Sequence, residues 1–255
     1  MDNKIVEQVA REIERARSVL FITGAGISAD SGLPTYRGVG GLYNGRTTDE
    51  GMPIEVAMSG EMFARRPELT WKHILEIERA CRGRSFNRGH EVIAELEALP
   101  SKRVWTLTQN VDGFHRKAGA RNIIDIHGDV HQLMCTACDW SEVVDDYTHL
   151  SEELPPRCPD CQAVIRPNVI LFGEQLPQAQ LADYHRELQR GFDLLVSIGT
   201  TSAFPYIAYP MLEAVRDGKP TVEINPGETE LSSSVDFKLA SGAARTLAAI
   251  AAALA

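Results

Sequence analysis

The chain has 255 residues, 44% of them hydrophobic, with 26 Lys and Arg against 35 Asp and Glu and a formal net charge of −9. That is enough for one large domain or two small ones, and the acidic balance argues against a broad nucleic-acid surface, which needs a basic face. No apolar run reaches the ~18 residues of a membrane span. The opening MDNKIVEQVAREIERARS lacks the apolar core of a signal peptide, and its Asp2, Glu7, Glu12 and Glu14 argue against a mitochondrial presequence. The expectation is a cytoplasmic protein with reduced thiols and no membrane partner.

In chain order, the N-terminal segment reads as an amphipathic helix with Ile5, Val9, Ile13 and Ala16 on one side. Val19-Leu20-Phe21-Ile22 is the pattern of a buried parallel strand, ending at Thr23. It breaks at Gly24-Ala25-Gly26, and with Ala29 the spacing is G-x-G-x-x-A, an accepted form of the dinucleotide fingerprint. Close glycines after a strand let backbone N–H groups hold a pyrophosphate; a tight turn is the alternative. An ordinary dinucleotide fold would run on into a helix and a second strand ending in an acidic residue. Here Ser31-Gly32-Leu33-Pro34 interrupts any helix, and Gly38, Gly40, Gly41 and Gly45 keep the chain irregular, so a glycine-rich loop covers the nucleotide.

Residues 53–81 read as helical, broken near Ser59-Gly60 and at Pro67, and 87–99 as a further helix stopped by Pro100. Strands are expected at 104–108, 122–126, 164–172, 194–198 and 221–224, with a helix between the last two and an Ala-rich helix at the end. Alternating strands and helices imply an α/β fold, a doubly wound, parallel, Rossmann-like sheet. Inserts at 38–85 (helical) and 129–163 (acidic, cysteine-bearing) interrupt the pattern. They predict a smaller lobe within a single domain, the larger lobe comprising 1–37, 86–128 and 164–255.

Four of the five cysteines form the pattern C-x2-C-x19-C-x2-C: Cys135, Cys138, Cys158 and Cys161. This spacing suits one tetrahedral Zn²⁺ in a zinc ribbon. Two disulfides or a redox pair are the alternatives; a cytoplasmic chain disfavours the first, and a redox C-x-x-C needs no matched second pair. Four thiolates close the metal's shell, so the zinc is expected to be structural. Between Asp129 and Cys161 the only Lys or Arg is Arg157, among eight carboxylates, and such a module would repel phosphate. Cys81 is expected to be buried in its helix.

Thr108-Gln109-Asn110-Val111-Asp112-Gly113-Phe114-His115 follows the second strand, where doubly wound folds bind ligands. Asn110 and Asp112, two apart, could face one ligand, or Asp112 could merely cap the next helix. Asp125-Ile126-His127-Gly128 ends the third strand. A histidine there is placed for acid–base work near neutral pH, although a lone histidine is more often structural.

GAGISADSGLPTYR, TQNVDGFH, the His127-Gly128 pair ahead of the cysteines, RPNVILFGE (166–174), Gly199-Thr200-Thr201 and Asn225-Pro226 together resemble the sirtuins, NAD-dependent protein lysine deacylases, over most of the chain. Two differences lie in the first motif: Asp30 stands where the family usually has Glu and Tyr36 where it has Phe. Ser-Ala-Phe-Pro-Tyr after Thr201 also departs from the usual aliphatic sequence. The resemblance implies that Gly24, Ala25, Gly26, Ser28, Asp30, Pro34, Tyr36 and Arg37 bind NAD. It implies that Gln109 contacts a ribose, that Asn110, Val111 and Asp112 line the nicotinamide pocket, and that Gly199, Thr200, Thr201, Asn225 and Pro226 serve the adenosine side. Ala243 matches the position beneath the adenine. His127 becomes the expected general base, with Asn110 and Arg37 completing the catalytic set and Arg37 positioning NAD and water. Val169, Phe172, Gly173 and Glu174 lie in the segment that pairs with an acyl-lysine protein or peptide as an added strand.

The implied reaction transfers the acyl group of a protein lysine to the ADP-ribose moiety of NAD, releasing nicotinamide. ADP-ribosyl transfer to a protein, a hydride-transferring dehydrogenase and a non-catalytic NAD-sensing module are the rivals. The dehydrogenase reading lacks support because no acidic residue ends a second strand after the glycine loop. Sirtuins that prefer succinyl or malonyl groups carry a Tyr-x-x-Arg pair shortly after a Pro-x-x-x-Trp segment. Counting from Pro67 to Trp71 puts Ile74 and Ile77 at those positions, which predicts acetyl and longer unbranched apolar acyl groups over succinyl. Tyr43-Asn44-Gly45-Arg46 has the same spacing but sits in the glycine-rich loop.

Overall fold

Helix α1 (Asn3–Arg15) starts where the Asp2 carboxylate accepts a hydrogen bond from the Lys4 N–H at 2.9 Å, and it buries Val6, Val9, Ala10 and Ile13, the spacing of one helical face. The computed structural model describes residues 2–35, 47–150 and 153–254. Strand β1 (Ser18–Thr23) is buried throughout except at Ser18. Beyond it the chain makes only two 3-10 turns, Ala25–Ile27 and Ala29–Ser31, which end at Gly32 with φ +82°.

The helical insert is three pieces: α2 (Ile54–Ala57), α3 (Gly60–Arg65) and α4 (Pro67–Cys81). Its breaks are local chemistry. Ser59 Oγ accepts from the Met62 N–H at 3.0 Å and starts α3, and Pro67, which needs no N–H partner at a first helical position, starts α4. Helix α5 (Arg88–Glu97) begins in a capping box formed by Asn87 and His90. The Asn87 amide also donates to Ile27 O at 2.8 Å, tying that cap to the glycine turn.

The rest comprises β2 (Arg103–Thr108), α6 (Phe114–Lys117), β3 (Ile123–Asp125), β4 (Gly128–Cys135), β5 (Ser141–Val143), β6 (Ile165–Val169), α7 (Gln178–Arg190), β7 (Leu194–Ile198), α8 (Pro205–Arg216), β8 (Thr221–Ile224), β9 (Phe237–Leu239) and α9 (Ala243–Leu254). The six-stranded sheet runs β3-β2-β1-β7-β8-β9, with every neighbouring pair parallel. Alternate residues of β1 feed opposite faces. Val19 and Phe21 join α1, α5 and α9 in one core; Leu20 and Ile22 join α7 and α8 in the other.

A second, three-stranded antiparallel sheet has the order β5-β4-β6. The strand expected at 164–172 therefore pairs with the cysteine-bearing region and not with the large sheet: Ile165 lies opposite Cys135, and Val169 opposite Gly128. Its apolar residues Ile165, Val169 and Leu171 pack with Trp71, Val130 and Leu133 in a core of their own. The Trp71 indole N–H donates to Ile165 O at 2.9 Å, fastening the helical insert to this sheet. Among the described residues no helix is long and apolar enough to cross a membrane.

Candidate active site

β1 lies between β2 and β7, where the strand order reverses, and open parallel sheets bind ligands at such a switch point beyond the strands' C-terminal ends. The turns that follow β1 and β7 are interlocked there. The Gly26 N–H donates to Gly199 O at 2.8 Å and the Gly24 N–H to Ile198 O at 3.0 Å. A Cβ on Gly26 would lie 2.5 Å from Gly199 Cα, and one on Gly24 would lie 2.9 Å from Gly199 O. Only glycine allows this approach, so the G-x-G spacing has a packing cause of its own, and it leaves Gly24, Ala25 and Gly26 lining a cavity of about 390 Å³.

The polar residues after β2 brace the same turn. The Asn110 side-chain amide donates to Gly24 O at 3.1 Å, and Gln109 Nε2 donates to Thr200 Oγ1 at 2.7 Å. Gln109, Asn110, Val111, Gly199, Thr200 and Thr201 all border the cavity. Asp112 lies behind them, with its carboxylate accepting from the Ser28 hydroxyl at 2.7 Å and from the Phe114 N–H at 3.0 Å. Both bonds hold its carboxyl down, but burial dominates and pushes it up from the ordinary Asp value. Asp112 thus caps the following helix and also anchors Ser28.

The remaining residues expected on the NAD side fall into two groups. Asn225 donates to Thr200 O at 3.0 Å, next to exposed Pro226, and supports the Gly199–Thr201 turn. Asp30 accepts from the Ala244 N–H at 2.9 Å, so it caps α9, whose first residue, Ala243, is buried. Pro34 is half-buried, and neither Asp30, Pro34, Asn225, Pro226 nor Ala243 is among the residues bordering the cavity. Tyr36, Arg37 and the segment containing Tyr43 and Arg46 lie outside the described residues.

His127 borders the cavity from the other side. Its Nδ1 is 3.1 Å from Gln109 O and its Nε2 is 2.7 Å from the Tyr206 hydroxyl. A carbonyl only accepts, so Nδ1 carries the proton and Nε2 the lone pair. Burial pushes the imidazole pKa below its ordinary value, against a smaller pull upwards from the Gln109 carbonyl, so His127 is a neutral base at pH 7.

The apolar end of the cavity is made by Val169, Ile170, Leu171 and Phe172 with Met58 and Ile77. Phe172 is joined to the helical insert in both directions, its N–H donating to Met58 O at 2.9 Å and its carbonyl accepting from the Gly60 N–H at 3.0 Å. Gly173, with φ +82°, turns the chain at the cavity edge. Glu174 is an anchor: it takes two bonds from Arg166, at 2.6 and 2.9 Å, and one from the Leu171 N–H at 2.9 Å. The two isoleucines separate. Ile77 reaches the cavity, whereas Ile74 is buried among the small-lobe core residues, because helical positions three apart point about 60° apart.

The four cysteines meet at one point. Their Sγ atoms all lie within 4.8 Å of one another, with Cys135–Cys161 at 3.4 Å and Cys138–Cys158 at 3.6 Å. Zn–S bonds of about 2.3 Å in a tetrahedron place sulfurs about 3.8 Å apart, so the thiolates fit one Zn²⁺ with no vacancy left for substrate. Cys81 is buried at the end of α4, and burial pushes its thiol up to about 12, which keeps it protonated and inert.

Several residues bordering the cavity had no role assigned from the sequence, among them Met58, Leu176 and the aromatic pair Phe204 and Tyr206. The rings of this pair stack 5.5 Å apart at 16°, and each meets His127 edge-on, at 5.7 and 6.0 Å. The signal was the departure from an aliphatic sequence after Thr201. The chain reaches this pair through Ser202, whose φ is +55°.

A sequence profile of the Sir2 family matches residues 24–204. The "NAD-dependent protein deacylase 2" of Pseudomonas aeruginosa is 50% identical over 92% of this chain and 91% of its own length. The protein of the same name from Pseudomonas syringae is 47% identical over 94% and 97%. Among solved structures, a Sir2 homolog–NAD complex superposes with a TM-score of 0.82 at 33% identity, covering 98% of this chain and 95% of that one. A Sir2–p53 peptide–NAD⁺ complex superposes with a TM-score of 0.80 at 27% identity, covering 97% and 96%. With a glycine turn, a buried histidine beside it and a cysteine cluster in one Rossmann-like frame, the chain belongs to the Sir2 family.

Proposed function

We propose that this chain is an NAD-dependent protein lysine deacylase that removes acetyl and longer unbranched apolar acyl groups, giving nicotinamide and O-acyl-ADP-ribose. The observation that carries the reading is the continuity of one cavity, from the glycine turn through His127 to the apolar passage at Val169–Phe172 and Ile77. The names of its Pseudomonas relatives support the activity, and the peptide and NAD⁺ of the Sir2 complex support the two substrates.

NAD, when bound, supplies an electrophilic ribose carbon and nicotinamide as the leaving group. The protein positions and polarises. Gly24, Ala25 and Gly26 offer backbone to the pyrophosphate, and Gly199–Thr201 bound the adenosine side. Asn110 and Val111 border the nicotinamide side, with Asp112 and Ser28 holding the wall behind them. The extended segment ending at Gly173 and Glu174 takes the peptide as an added strand, and the apolar passage directs the acyl oxygen at the ribose. His127, neutral and with its lone pair on Nε2, accepts the proton of a ribose hydroxyl and so converts it to a nucleophile. Arg37 assists NAD and water. One Zn²⁺ on Cys135, Cys138, Cys158 and Cys161 holds the small lobe together. These thiols need the reducing conditions of the cytoplasm, where the protein works.

The test is to mix the protein with NAD and an acetyl-lysine peptide. Nicotinamide release equal to deacetylated peptide is expected. Nicotinamide release with ADP-ribose attached to protein would replace the reading by ADP-ribosyl transfer, and no turnover would leave an NAD-binding module.

A further inference from the structure

The resting site presents a difficulty for its own base. Nδ1 of His127 is committed to Gln109 O, so the lone pair must be on Nε2, and the atom 2.7 Å from that lone pair is the Tyr206 oxygen. An acceptor nitrogen at that distance faces a donating O–H. The nitrogen that must take a proton from the co-substrate is therefore already accepting one hydrogen bond.

The backbone that carries Tyr206 is held in place, and its ring is packed. It sits in the first turn of α8 directly after Pro205, whose ring fixes the backbone there. Its carbonyl accepts from the Tyr184 hydroxyl at 2.9 Å, and its ring is stacked on Phe204. The chain enters this turn through Ser202, at φ +55° and with its N–H donating to Thr200 Oγ1 at 3.0 Å. Backbone of that kind is retained where the surroundings over-determine it. Yet Tyr206 borders the same cavity as His127.

We infer that Tyr206 positions His127 and relays its proton: the ribose hydroxyl reaches Nε2 by way of the Tyr206 oxygen. This inference rests on the reading under Proposed function. As the ribose O–H gives its proton to the phenol oxygen, the phenol O–H gives its own to Nε2. The ribose oxygen becomes the nucleophile, His127 becomes imidazolium, and Tyr206 is neutral before and after.

Tyr206→Phe tests this, because it keeps the ring and its stacking and removes only the hydroxyl. In ligand-free protein, ¹⁵N spectra of the imidazoles should show the His127 Nε2 resonance shifted in Tyr206→Phe, with Nδ1 still protonated. In turnover, kcat for deacylation should fall about 100-fold or more, the lower end of the range for assisted proton transfer. Exchange of labelled nicotinamide into NAD requires no base, and it should stay within about twofold of the parent. Identical imidazole spectra with unchanged deacylation would overturn the relay alone, given a parent protein that is active. A parent that neither exchanges nicotinamide nor deacylates would overturn the reading beneath it.

Discussion

Replacing Gly26 by Ala probes the contact on which the NAD-side geometry depends. The new Cβ would stand 2.5 Å from Gly199 Cα, 2.8 Å from Gly199 O and 3.0 Å from Gly199 C. All three are backbone atoms, so no side chain can rotate out of the way. Carbon atoms rest about 3.5–4.0 Å apart, and the turns after β1 and β7 must therefore separate by about 1 Å, stretching the Gly26 N–H···O Gly199 bond from 2.8 Å. Overpacking of this kind costs about 1–3 kcal/mol, and a domain of this size loses about 2–4 °C in Tm for each kcal/mol. The catalytic loss should be larger, since a displacement of about 1 Å between reacting groups costs about 100-fold. The assay is kcat/KM for NAD at saturating acetyl-lysine peptide, beside a thermal melt. A folded Gly26→Ala protein with kcat/KM for NAD within about twofold of the parent would refute the claim that the interlocked turns form the cradle.

Three further outcomes are expected. His127→Ala should lower deacylation by at least ~100-fold while leaving NAD binding largely intact; near-normal deacylation would remove His127 from the mechanism. Metal analysis should find one zinc per chain, and Cys135→Ser should destabilise the small lobe because structural zinc binding contributes to folding free energy; zinc-free, fully stable protein would end the ribbon assignment. On one peptide, acetyl should exceed succinyl in kcat/KM by more than ~100-fold, because a carboxylate beside Ile77, Met58 and Phe172 is an unpaired buried charge costing several kcal/mol; a succinyl value equal to the acetyl value would contradict it.

The local parts of this fold were legible because short-range chemistry makes them. The apolar run 19–22 has the pattern of a buried strand, the breaks at Ser59 and Pro67 are where a helix restarts, and two C-x-x-C pairs with matched spacing have few other uses. Pairing across long sequence distances was not legible in the same way. Ile165–Val169 reads as one more parallel strand until its partner is known, since an apolar run carries no record of strand direction. β9, at three residues, is too short to show a period. Within the site the residue types were visible but not their orientation. Asp30 turned to cap α9, Glu174 turned to Arg166, and of two isoleucines three apart only Ile77 faced the cavity. Phe204 and Tyr206 were visible only as a departure from an aliphatic sequence.

The central claim is that the cavity joins an acyl group to ADP-ribose, and mass spectrometry of the small-molecule products tests it most directly. With NAD and an acetyl-lysine peptide, the acetyl group should appear on ADP-ribose, in amounts equal to the nicotinamide and free lysine formed. Free acetate formed while NAD remains intact would contradict the account.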